Sequence, residues 1–258
     1  MKVNAKMKSL SLAVAGLVGF AFAGSALAQC PALPGAWSGQ VSAGGSLVTS
    51  TPGFSGTNCK LDAQITANLG SASAFVRDDT PAAEERYRAQ FLINVDALAS
   101  LSSAQPVRVF AAITDVPASG VSELVKLTVF GNAAGTSKSL GILVAASNPT
   151  AIGGFVSSAV PLTGGTAGVH RVEIDWSKGS GLAGDGSGSG GVKVWVNNTT
   201  EATPSQIVSA DNTAWTGGVD SAALGLAQAS PAFRTVQANR IVSFDQFDSR
   251  RSTFIGSP

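Results

Sequence analysis

Glu173 and Asp175 stand two residues apart in the run Val169 to Trp176, and the period of a strand puts both carboxylates on one face. Paired carboxylates are the raw material of glycoside hydrolysis. In the retaining form a second carboxylic acid sits about 5 Å from the nucleophile and protonates the leaving group. Ser177 and Lys178 occupy the positions that would supply it. The pair therefore reads as surface carboxylates matched to Arg171 or Lys193 rather than as a catalytic dyad, and no catalytic residue is assigned. His170 is the only histidine, and no G-x-S-x-G elbow accompanies it, which leaves nucleophilic catalysis without its parts. One histidine and two cysteines also exclude an ordinary zinc site. An oxygen-ligand calcium site has candidate carboxylates in Asp78 and Asp79, in Asp185, and in Asp245 with Asp248. None lies in a complete loop signature, and solvated turn aspartates are the competing reading. No other cofactor is indicated.

Trp195 is the residue that asks for an explanation. Its parity places it with Lys193 and Asn197, opposite Val192, Val194 and Val196, so an indole stands on the polar face of a strand. Either it is a stacking platform for a sugar ring on a concave sheet, with Lys193, Asn197, Arg171, Glu173, Arg86 and Arg88 supplying hydrogen bonds around it, or a loop or an arginine stem covers it. Trp37 and Trp215 lie in loop-like surroundings and either extend such a platform or plug an end of the fold. Arg86, Arg88, Arg250 and Arg251 could be taken for an anion site, but Glu84, Glu85, Asp245 and Asp248 are close by in sequence and pairing is the simpler account.

The elements that must hold these residues alternate with period two. Tyr87, Ala89, Phe91, Ile93 and Val95 share one face, with Arg86, Arg88, Gln90 and Asn94 on the other. Similar runs are Val107 to Ile113, Val125 to Val129, Leu140 to Ala145, Ala223 to Leu226 and Ile241 to Phe247. Val172, Ile174 and Trp176 followed by Val192, Val194 and Val196 form a hairpin across a glycine- and serine-rich loop from Ser177 to Gly191. The spacing of Phe244 and Phe247 breaks strict alternation and calls for a bulge. With 30 glycines and no long helical period, the chain reads as all-β.

Lys2, Lys6 and Lys8, an uncharged apolar run from Leu10 to Phe22, and Ala26-Leu27-Ala28 form a Sec signal peptide cleaved after Ala28. The organisation expected is therefore a signal peptide at 1–28 and one sandwich domain at 29–258, exported to the periplasm or the exterior, with no membrane span in the mature chain. A net charge of +1 offers no basic field for nucleic acid. Cys30 and Cys59 are expected to pair in an oxidising compartment, a closure worth about 3–4 kcal/mol in the chain-entropy model. The alternative, a lipid-modified Cys30, is opposed by Gln29, where a lipoprotein signal wants a very small residue.

Three segments carry a resemblance: Pro81 to Phe91 (PAAEERYRAQF), Val169 to Trp176 (VHRVEIDW) with Val192 to Asn197 (VKVWVN), and Phe244 to Gly256 (FDQFDSRRSTFIG). Together the chain resembles secreted bacterial relatives of the concanavalin A-like, laminin-G-like jelly-roll sandwiches. The resemblance implies a two-sheet antiparallel jelly roll of about a dozen strands with the 169–197 hairpin at its centre. That superfamily holds lectins, glycosidases, lyases and adhesive modules, so shape follows from it and chemistry does not. The function expected is a non-catalytic exported module binding a glycan or a cell-surface partner. The alternatives are a purely structural or interaction protein and an atypical polysaccharide-active enzyme.

Overall fold

Apolar residues at every second position make strands that bury one face, and two such sheets laid face to face bury both. The computed structural model describes residues 30–54, 56–118, 121–146, 154–179, 190–213 and 215–256. Among these, two seven-stranded antiparallel sheets form a sandwich. In spatial order the first is β1 (Gly39–Val41), β4 (Ala74–Asp78), β13 (Ser221–Ala227), β6 (Val107–Ala118), β7 (Val121–Gly131), β8 (Lys138–Ala145) and β9 (Phe155–Pro161). The second is β12 (Gln206–Ser209), β11 (Gly190–Val196), β10 (Val169–Lys178), β5 (Arg86–Asn94), β14 (Val242–Arg250), β3 (Lys60–Ile65) and β2 (Gly45–Ser50). The apolar run from Leu10 to Phe22, the expected cleavage point after Ala28 and Asp185 lie outside the described residues.

The core lies between the sheets. Phe91 meets Phe110 of the opposite sheet at 5.7 Å between ring centroids and Phe244 of its own at 6.3 Å, and Trp176, opposite Tyr87 further along the strands, is fully buried. Burying each such side chain contributes roughly 1.5–3 kcal/mol. Every run read as a strand lies in one to within a residue at its ends, Val95 and Ile241 falling just outside β5 and β14, and β10 pairs β11 with Val172 opposite Val196 and Trp176 opposite Val192. A six-residue helix, α1 (Pro231–Val236), is too short to show a period in the sequence. Ser230 caps it, its hydroxyl accepting from the Phe233 amide at 3.1 Å, and it drops Phe233 into the core. Cys30 and Cys59 are joined, with Cα atoms 5.6 Å apart.

β14 carries the expected irregularity. Asp245 is opposite Leu92 of β5 and Asp248 is opposite Gln90, so one extra residue bulges out between them, with Gln246 at φ +51°. Phe247 and Asp248, which follow the bulge, line a cleft.

Candidate functional site

On the outer face of the second sheet, register sets three rows of side chains. Arg88, Asp175 and Lys193 are lateral neighbours across β5, β10 and β11, as are Gln90, Glu173 and Trp195, and Leu92 lies beside Arg171. Arg88 donates to Asp175 at 2.7 Å and to Glu201, in the loop after β11, at 2.6 Å, while Arg86 grips the same Asp175 with two nitrogens at 2.9 and 2.7 Å. Arg171 donates to Gln90 at 2.9 Å and to Glu173 at 3.2 Å. The hydrogen bond to Asp175 raises the Arg86 pKa, whereas burial lowers that of Arg171 against the pull of Glu173. Three guanidinium groups thus answer three carboxylates.

This face is roofed. After Arg250 the chain crosses the sheet, and Phe254 lies 5.4 Å from Trp195 with the Arg88 guanidinium over both rings at 5.5 and 5.6 Å. The Ile255 and Gly256 amides then donate to the two oxygens of Glu173 at 2.9 and 3.1 Å, and Arg171 donates to the Gly256 carbonyl at 2.9 Å. Gly256 holds φ +72°, a left-handed turn that suits a residue without Cβ and brings its amide onto the carboxylate.

One reading is thereby corrected, and one pair of alternatives is decided. Glu173 and Asp175 share a face, but they are core-like, 0% and 2% exposed, because the crossing segment and Glu201 exclude water from them. Trp195, 0% exposed, is the covered indole of the two alternatives, with its Nε1 donating to the Glu201 carbonyl at 3.3 Å, so no sugar ring reaches it in this arrangement. The structure brings Arg86, Arg88, Arg171, Glu173 and Trp195 together as one network. Lys193 is half-buried at its margin. Asn197 closes the strand ends: its Oδ1 accepts from the Arg171 amide at 2.9 Å, and its Nδ2 donates to the Thr163 carbonyl at 2.6 Å and to His170 Nδ1 at 3.0 Å.

Because Asn197 donates to it, His170 Nδ1 must be unprotonated, and desolvation by burial lowers the pKa of this ring below its ordinary 6.5. Below pH 6.5 the unfolded chain therefore binds a proton the folded one refuses, and stability falls as pH drops through that window. Replacing His170 with Gln is expected to flatten this part of the profile. Urea midpoints at pH 7.5 and 5.5 for both chains check it, and an unchanged pH slope in the variant would refute the assignment.

The aspartates scatter. Asp79 turns out to Arg77 at 2.7 Å, Asp78 accepts from the Thr80 amide at 3.0 Å, and Asp245 is taken up by the Phe54 amide at 2.6 Å and by the Thr57 hydroxyl. Among the described residues no group of three His, Cys, Asp or Glu side chains gathers as a metal site.

An open concavity among the described residues lies elsewhere, a cleft of about 580 Å³ lined by the turn at 33–37 and by residues of β2, β3, β4 and β14. Leu33, Trp37 and Phe247 give it an apolar wall, and Lys60, Asp78 and Asp248 supply polar groups. Trp37 and Phe247 pack at 4.9 Å with a 45° tilt, both half-buried. The turn that carries Trp37 closes through its amide to the Pro34 carbonyl at 3.0 Å, and the disulfide and the Thr49 hydroxyl, 2.8 Å from the Pro31 carbonyl, pin that turn to β2 and β3. Sequence reasoning named Trp37 without its partner. The broken alternation at Phe247 was the available signal.

No family model matches the chain, and no curated protein does. Solved structures share its architecture. A carbohydrate esterase from the Shiga toxin-encoding bacteriophage phi24B superposes with a TM-score of 0.50 at 12% identity, over 83% of this chain and 91% of that one. An alginate lyase from Pseudomonas aeruginosa gives 0.49 at 16% identity, over 75% and 83%. At such identity the likeness to the phage protein is one of fold alone, a two-sheet antiparallel jelly-roll sandwich.

Proposed function

We propose that the chain is an exported, non-catalytic jelly-roll module that binds a glycan, and that the Trp37–Phe247 cleft is where it does so. The observation that carries the reading is the half-buried indole, paired with a phenyl ring and flanked by Lys60, Asp78 and Asp248, in a cleft large enough for one or two sugar rings. The phage protein of the same fold is a carbohydrate esterase, which fits a glycan-facing role. Export is supported by the apolar leader and by a formed disulfide, and among the described residues no helix is long and apolar enough to cross a membrane. A non-catalytic role is supported by Glu173, whose two oxygens are committed to main-chain amides and Arg171. A second reading, a structural or surface-interaction protein, is favoured by the ion-paired and roofed face around Trp195, which leaves no small-ligand site there.

A polysaccharide pull-down and glycan array with the mature chain from Gln29, beside Trp37→Ala, separates the two. The expected result is retention of the wild type and binding at least about tenfold weaker in a variant whose circular dichroism is unchanged, the loss of roughly 1.4 kcal/mol that one stacking contact represents. No retention of either chain would favour the structural reading.

A further inference from the structure

The segment that roofs the second sheet is held the way a bound peptide is held. Residues 251–253 are exposed and belong to no strand, and the seating begins only at Phe254. From there every contact is made by groups that another chain could equally present: two successive amides on one carboxylate, one carbonyl on one guanidinium, one phenyl ring on an indole. None of it is sheet pairing, and none depends on the bond between Phe254 and the strand before it. The receiving groups stand on the paired strands β5, β10 and β11, with Glu173 and Trp195 both 0% exposed. The hinge is held lightly. Arg251 reaches Glu84 at 2.8 Å, but its side chain is 78% exposed, and exposed pairs of this kind add little.

We infer that the groove formed by Glu173, Arg171, Trp195 and Arg88 is a recognition site for a peptide bearing an aromatic residue followed by two free amides, the second of them on a glycine in a left-handed turn, and that its partner in trans is residues 254–256 of a second copy of this chain. A second copy offers the identical donors, acceptor and ring, so the exchanged contacts equal the internal ones. Linkage to the same chain favours the internal seating through effective concentration, and a hinge too short to reach removes that advantage. The exchange is reciprocal and closes as a symmetric dimer. The charge balance of the groove selects a peptide over a charged ligand, because the guanidinium groups of Arg88 and Arg171, with that of Arg86 beside them, already meet Glu173, Asp175 and Glu201.

Two experiments test this. Deleting Ser252 and Thr253 from the full chain removes roughly 7 Å of reach and shortens the hinge between β14 and Phe254 from three residues to one, which penalises the internal seating. The expected product is a dimer by light scattering with Trp195 still shielded from acrylamide quenching, and a folded monomer would overturn exchange. Should that chain fail to fold, the full-length double variant Phe254→Ala, Ile255→Pro frees the groove, since alanine lacks the ring and proline lacks the amide. A fluorescent peptide of residues 250–256 is then expected to bind it saturably, and at least tenfold more weakly when its own Phe254 is Ala. Absence of binding to a variant with the native circular dichroism spectrum would overturn the site.

Discussion

Replacing Glu173 with Ala is expected to cost about 3–5 kcal/mol of folding stability, the range for taking one partner out of a buried ion-pair network. The carboxylate is 0% exposed and answers four groups: the amides of Ile255 and Gly256, the Arg171 guanidinium at 3.2 Å and, more distantly, Arg88 at 3.7 Å. Its removal orphans two amides and leaves three guanidinium groups against two carboxylates in a region from which the roof excludes water. Urea unfolding at neutral pH reads the loss. Hydrogen exchange at Ile255 and Gly256 is expected to accelerate with it. A cost below about 1 kcal/mol would mean that the network is worth little, as exposed pairs are. Pairing the change with Arg171→Met sharpens the test, because removing both charges of a buried pair and restoring apolar volume recovers much of what removing one loses.

The network also explains why part of the molecule was legible in its sequence and part was not. β5, β10 and β11 announce themselves because one face of each is apolar at every second position and the other carries charge. The outlying strands do not: β9 reads FVSSAVP and is mostly open along its length, so no buried face imposes a period on it. The charged face of β10 could be read for parity but not for depth. Glu173 and Asp175 look like surface residues in any local window, and they are buried because a segment about eighty positions later lies across them, which local periodicity does not record. The candidate glycan contacts divide on the same ground. Strand register places Arg86, Arg88, Arg171, Glu173 and Trp195 side by side, and the covering segment that buries them is out of reach of local pattern, whereas the cleft at Trp37 depends on a bulge in β14 and a disulfide-tethered turn, two features that meet only in three dimensions.

Replacing Trp195 with Ala is expected to cost about 3–5 kcal/mol, the range for truncating a buried indole, since the ring is 0% exposed and lies against Phe254 and Arg88. The Glu201 carbonyl loses its 3.3 Å donor as well. The change is predicted to leave glycan binding intact at temperatures where the variant remains folded, because the indole touches no open surface. Trp37→Ala is predicted to do the reverse, with a small effect on stability and a large one on binding, since that ring is half-buried in a cleft rather than under a roof. Thermal unfolding and polysaccharide retention, measured on both variants, set the two tryptophans against each other. If Trp195→Ala lost binding while keeping its stability, the crossing segment would have to leave the sheet in solution, and the covered face rather than the cleft would be the ligand site.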